Sequence, residues 1–184
     1  MSRSPQRLEY VFDLLKDKYS HYLIYIRADS RYHCANWDTD TEEAPPKCTD
    51  CLGMGYKITL EKWPLIDAPA MPTNQKAMLT QTGTIGRIAS EGKVFYSQRE
   101  MWPRKLDRLC EVQWSVPTHS VASSGRVIKL LDVYEINDVD SIRFKGGEII
   151  FHQIYAKSLE ADFRWMEDTL KGASFLITRT EYLD

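Results

Sequence analysis

Apolar residues recur along this chain with two different periods, and the periods divide it into elements. Leu8, Val11, Phe12, Leu15 and Tyr19 follow helical spacing behind Ser4-Pro5, an N-cap residue and a proline at the first helical position, where its missing N–H costs nothing. A helix over 5–18 is predicted, with Arg7, Glu9, Asp13, Lys16 and Asp17 forming a solvated face. Residues 21–27 are aromatic and β-branched and predict a strand. Residues 56–63 set Tyr56, Ile58 and Leu60 against Lys57, Thr59 and Glu61, the period-two signature of a half-buried strand. Between them, 31–56 is polar and acidic and contains Pro45-Pro46, which excludes a core strand or a long helix. Prolines make 64–74 an extended, surface-hugging connector. Short strands are predicted at 78–88, 94–98, 107–114, 128–137, 141–144, 148–155 and 174–180, with Gly146-Gly147 as a hairpin turn. Leu159, Phe163, Met166 and Leu170 mark a second amphipathic helix over 159–171, with Gly172 as its C-terminal stop.

Many short strands with turn punctuation predict a mainly β protein of the α+β class. The expected core is a barrel or sandwich, accompanied by the N-terminal helix, a knuckle-like loop insertion at 31–56 and the second helix near the C-terminus. At 184 residues the expectation is one domain spanning 1–184. Apolar content of 43% and charged content of 27% are globular values. No apolar run reaches the roughly eighteen residues of a membrane span. The N-terminus lacks the apolar stretch of a secretory signal, which predicts a chain that stays in a cytoplasm after synthesis. With 24 basic and 26 acidic residues the net charge is −2, which argues against a protein whose main task is coating phosphate backbone.

The cysteines change this picture most. Cys48 and Cys51 stand at i and i+3, followed by Gly53 and Gly55, and Cys34 lies upstream of Cys48 with thirteen residues between them. Two thiolates at that spacing, with positions free of a Cβ just beyond, suit a zinc knuckle whose turn aims amide groups at the sulfurs. Cys34, Cys48 and Cys51 are therefore the predicted metal ligands, for a structural zinc. The fourth ligand is open among His33, Asn36, Asp38 and Cys110, and the competing reading is a knuckle that keeps its shape without metal through Gly53, Gly55 and tyrosine packing. Cys110, inside the strand at 107–114, reads as a small buried hydrophobe.

Catalytic patterns do not assemble. His119 beside Ser120, Ser123 and Ser124 has no nucleophile elbow and no oxyanion glycine pattern, and it reads as an exposed loop. The Gly83 to Gly86 and Gly146-Gly147 segments lack the P-loop lysine pattern, and the acidic run at 38–43 lacks EF-hand spacing. The expectation is a protein that is not an enzyme. Trp37 and Trp102, in polar segments, read equally as interface anchors or as caps of a small core.

The order of these pieces resembles a family of tailed-bacteriophage virion proteins of the head-tail junction. The residues that carry the likeness are Tyr25-Ile-Arg27, then Cys34-x-x-Trp37-Asp38, an acidic proline-bearing stretch, and Cys48-x-x-Cys51-x-Gly53-x-Gly55-Tyr56. Pro103-x-x-x-Asp107-Arg108-Leu109 and the stretch from Val133 to Arg143 ahead of the Gly-Gly turn extend it to about 23–155. Asn36 stands where that family usually has a second cysteine. The resemblance implies a structural protein of the virion neck, present in the host cytoplasm during assembly. It implies self-association in a ring, a portal or adaptor protein on one side, a tail-side neck or terminator protein on the other, and packaged double-stranded DNA passing through the lumen without a membrane. Expected ring contacts are the N-terminal helix, 64–74 and 116–125. The Cys-x-x-Cys-x-Gly-x-Gly unit is also similar to the repeat of DnaJ-type cysteine-rich domains, which need several copies where this chain has one. A cytoplasmic zinc-knuckle protein or nucleic-acid binding module is the alternative.

Overall fold

The structure, a computed structural model, describes residues 5–69, 92–143, 147–159 and 163–177. The helices are α1 (Pro5–Tyr19), α2 (Val121–Ser124) and α3 (Arg164–Gly172). The strands are β1 (His21–His33), β2 (Tyr56–Pro69), β3 (Gly92–Gln98), β4 (Arg108–Trp114), β5 (Val127–Arg143), β6 (Ile149–Ser158) and β7 (Leu176–Ile177). The protein is thus mainly β with a helix toward each end, as the pattern predicts. All seven strands belong to one sheet in the order β1-β4-β5-β6-β3-β2-β7, and β1 pairs additionally with β2. A sandwich would divide them between two sheets. The pairs β1–β4, β2–β3, β3–β6 and β5–β6 are antiparallel, and β2–β7 is parallel.

Contacts divide the chain into two compact units, each assembled from three separated segments, so no single cut in the sequence isolates either. The first draws on 1–21, 64–106 and 134–159. It holds α1, the second part of β2, β3, most of β5 and β6. Here β6 buries alternate residues, Ile150, His152, Ile154 and Ala156, as a strand covered on one face does. Phe95, Leu65, Met101 and Ile136 complete that core. His152 is satisfied on both ring nitrogens, by Ser141 Oγ at 3.0 Å and the Arg99 carbonyl at 3.0 Å.

The second unit draws on 22–63, 107–133 and 160–184. Leu23, Ile24, Tyr25 and Ile26 are buried in succession, which requires cover on both faces of β1. Cys110 lies opposite Ile24 and is fully buried, the core thiol that its apolar neighbours predict. Tyr25 donates to the buried carboxylate of Asp107, which also accepts the Ala28 N–H at 3.0 Å. Glu61 pairs with Arg27 Nε at 2.7 Å and accepts from the Trp63 indole at 2.7 Å, so its charge is compensated where it is buried.

Several predicted boundaries move. β1 runs on to His33 and β2 to Pro69, because cross-strand pairing continues past the apolar residues that signalled them. The connector expected at 64–74 is therefore strand as far as Pro69, and the remainder lies outside the described residues, as does the strand expected at 78–88. The strands expected at 128–137 and 141–144 are one long β5, with a register shift between Ile136 and Asp138. Gly172 is the last helical residue of α3, and the chain leaves through an extended Ala173 without a left-handed terminator. The loop expected at 116–125 is ordered into a 3-10 turn (Thr118–Ser120) and α2. The Lys62 ammonium caps it, donating to the Val121 carbonyl at 3.2 Å and the Gly125 carbonyl at 2.7 Å.

Candidate metal centre

The insertion between β1 and β2 folds back because the strands that flank it meet at its base. The Cys34 N–H donates to the Gly55 carbonyl at 3.0 Å, bringing both ends of the loop together. Two tight turns follow, Trp37 N–H to Cys34 carbonyl at 3.0 Å and Met54 N–H to Cys51 carbonyl at 3.0 Å, each opened by a cysteine. Gly53 and Gly55 take φ of +72° and +79°, the left-handed region that favours glycine, as the spacing requires. Leu52 enters the same region at φ 49° while fully buried. Arg108 on β4 donates to the Leu52 carbonyl at 2.7 Å and ties the second turn to the sheet of its unit.

These turns gather the three predicted ligands. The sulfurs of Cys34, Cys48 and Cys51 lie within 4.8 Å of one another, and all three side chains are buried. Cys34 Sγ and Cys48 Sγ are 3.5 Å apart, and all four cysteines are free thiols. Tetrahedral zinc with Zn–S bonds of about 2.3 Å needs sulfurs roughly 3.8 Å apart, a spacing that falls within the reach of this cluster, so the three sulfurs are a candidate metal site.

The electrostatics separate the thiols. Burial raises Cys34 to about 11, and the neighbouring sulfurs of Cys48 and Cys51 push in the same direction. Burial also opposes ionisation of Cys48. The Asn36 side chain, the backbone N–H groups of Cys51 and Asp50, and the Cys34 thiol outweigh it and bring Cys48 down to about 7. One thiolate is thus stabilised near neutral pH by donors of the kind that surround metal-bound sulfur.

The structure separates the four candidates for a fourth ligand. Asn36 reaches the site, but as a donor: its Nδ2 lies 3.3 Å from Cys48 Sγ and 2.8 Å from Asp50 Oδ2. The His33 ring packs against Trp37 at 4.0 Å and against Tyr56 at 5.4 Å. Asp38 accepts the Asp40 N–H at 2.8 Å, and a backbone bridge to Glu43 closes its turn. Cys110 is fully buried on β4 and raised to about 12 by that burial. Among the described residues, only Cys34, Cys48 and Cys51 form a group of metal-binding side chains.

Trp37 is half-buried beside the knuckle, and its ring would crowd a Cβ at Gly55, which would sit 3.0 Å away. Trp102 is 60% exposed. The side chain of His119 lies outside the described residues. Two contributors escaped sequence reasoning. Asp50 has a local signal, since it lies between the paired cysteines, whereas Arg108, fifty-six residues from Leu52, has none. No protein-family model matches this chain, and no curated protein matches it in sequence, so the centre is read from its own geometry.

Proposed function

We propose that this protein is a structural component of the tailed-phage neck. Copies form a ring that joins the head to the tail and extends the channel through which the genome passes. Beyond the sequence resemblance, the observation that carries this reading is the surface of α1. Tyr10, Val11, Leu14, Leu15 and Tyr19 are 62, 44, 51, 43 and 55% exposed. At 3.6 residues per turn they occupy roughly half of the helix circumference. Phe12 alone among the large apolar side chains described in α1 is buried, stacked on Phe151 at 5.1 Å, and Glu9 holds Arg99 at 3.1 Å.

An apolar helix face of this extent suits assembly. A second copy is the occupant that a ring requires, because head-to-tail contact about a rotation axis repeats the same pair of patches. In the same unit Trp102 and Leu106 are 60 and 69% exposed, with left-handed φ of 49° and 70°. Holding bulky residues there costs of order 1–3 kcal/mol each, and such strain clusters at functional sites. Portal or adaptor protein on one side and a tail-side neck or terminator protein on the other are the partners of this reading. Its net charge of −2 suits a channel wall past which double-stranded DNA slides. Zinc held by Cys34, Cys48 and Cys51 would cross-link the loop at 31–56, supplying the stability that a polar segment cannot draw from a core.

Light scattering and electron microscopy of the purified protein, alone and with the portal protein of the same genome, test the assignment. A discrete ring is expected, and Leu14→Glu with Leu15→Glu should abolish it while leaving the circular dichroism spectrum unchanged. A protein that stays monomeric at all concentrations and ignores the portal would sink the proposal. A salt-dependent shift of DNA or RNA mobility would favour a cytoplasmic zinc-knuckle module instead.

A further inference from the structure

We infer that Cys34, Cys48 and Cys51 form an open three-thiolate site for one thiophilic cation, with Asn36 as an outer donor to Cys48 and the fourth coordination position left to an exchangeable external ligand. The inference rests on the metal-bearing part of the proposed function and is independent of ring formation.

Asn36 decides the matter through its orientation. An amide offers an oxygen with lone pairs and a nitrogen that only donates, and a carboxylate accepts only. Asp50 Oδ2 is 2.8 Å from the Asn36 amide nitrogen, so that end must be Nδ2, and the same Nδ2 lies 3.3 Å from Cys48 Sγ. A nitrogen in that state has no lone pair for a metal. It contributes a hydrogen bond to the sulfur, the second-layer role that orients a ligand and spreads its charge.

The alternatives lie outside the sulfur cluster. His33 stacks on Trp37 and Tyr56, the Asp38 carboxylate accepts N–H groups of its own turn, and Asp50 accepts from Asn36. Among the described residues no further histidine, cysteine or carboxylate joins the three sulfurs. Asn36 and Asp50 are both exposed, so the side of the cluster that they cover faces solvent. Four-coordinate zinc sites with three protein ligands keep a water or substrate in the last position, whereas structural sites are closed by four. Three thiolates with a divalent ion carry a net charge of −1, and a neutral external donor leaves that charge unchanged. The Asn36 side chain and the backbone N–H groups of Asn36, Asp50 and Cys51 are placed to offset it.

Cobalt(II) is the probe, because its absorption reports thiolate count and geometry without any activity assay. Under reducing conditions the intact protein should bind one equivalent with thiolate-to-cobalt charge-transfer bands. Added imidazole should then shift the ligand-field bands while the ion stays bound. Asn36→Ala should still bind one equivalent, with affinity reduced about 10- to 100-fold, the range for loss of an outer-layer partner. Asn36→Cys should bind more tightly and become indifferent to imidazole, its thiol having filled the open position. Cys51→Ser serves as the variant that loses a ligand, and the dichroism spectrum of each metal-free variant checks folding. If cobalt binds but imidazole leaves the wild-type spectrum unmoved, the open position is wrong and the metal site stands. If Asn36→Ala folds and loses the ion, Asn36 is a ligand and the inference fails. Absence of cobalt binding by the folded wild-type protein overturns the metal reading itself.

Discussion

Gly53 stands at φ +72°, and a Cβ there would lie 2.6 Å from the Pro46 carbonyl oxygen. Two costs therefore meet at one position, a left-handed backbone and a clash with main chain that has no rotamer to escape through. Gly147 isolates the first cost, because it has φ +87° and nothing within 4 Å of its hypothetical Cβ. We expect Gly147→Ala to lower stability by about 1–2 kcal/mol from the backbone term alone. Gly53→Ala should cost more than that and should weaken cobalt binding as well. Urea unfolding of both variants checks this, and equal losses would remove Pro46 from the account.

Cys110 gives a prediction with a definite sign. Burial raises its thiol from the ordinary 9.0 to about 12. Above pH 9 the unfolded chain releases this proton and the folded chain keeps it, so the folded state binds more protons and stability falls as pH rises. The contribution is complete below pH 9 and declines by up to about 1.4 kcal/mol per pH unit until the folded thiol ionises. Cys34 pushes in the same direction, so the useful quantity is the difference between wild type and Cys110→Ala. Denaturant midpoints at pH 8 and pH 10 should converge between the two proteins as pH rises. Parallel declines would show that Cys110 is not the source.

At the scale of elements, α1 is the least conventional part. Lys16 and Lys18 in its last turn suit the negative end of the helix, yet its apolar stripe is mostly left outside the unit that carries it. Phe12 is the anchor, stacked on Phe151 with the rings 2° from parallel. Phe12→Ala should therefore release the helix locally. We expect amide exchange in α1 to approach that of a free peptide while β3 and β6, paired over seven residue pairs, keep their protection. Loss of protection throughout β6 would show that the helix is integral to the unit. The contrasting charge substitutions at Leu14 and Leu15 should leave exchange in the isolated protein unchanged, since both side chains are already exposed.

At the scale of the whole molecule, the two units are interleaved in sequence, and β2 and β5 each contribute residues to both. The cysteine loop lies wholly within one unit and α1 within the other. Metal binding and self-assembly are therefore testable separately. Chelation should destabilise the loop at 31–56 without dissolving a ring built on α1. Limited proteolysis and light scattering on the same chelated sample distinguish these effects, and a ring that falls apart on chelation would place the cysteine loop in the contact.

Much of this protein follows from its sequence alone. Helix and strand periods depend on neighbours one to four residues apart, so α1, β3, β4 and the apolar face of α3 were legible, as was the mainly β class. The three-cysteine cluster was legible too, because Cys48, Cys51, Gly53 and Gly55 encode one local turn and the short loop from Cys34 returns to it. What lay beyond reach were interactions set by strand pairing. β1 and β2 outrun their apolar signals because hydrogen-bonded partners, not side-chain pattern, sustain their ends. The merging of two predicted strands into β5 depends on a bulge whose partner is β6. Lys62 capping α2 and Arg108 holding the Leu52 carbonyl each join residues more than fifty positions apart, for which no local pattern exists. Asn36 sits at the boundary between the two kinds of information. Sequence placed it beside the cysteines, and only the tertiary position of Asp50 fixed which end of its amide faces the sulfur.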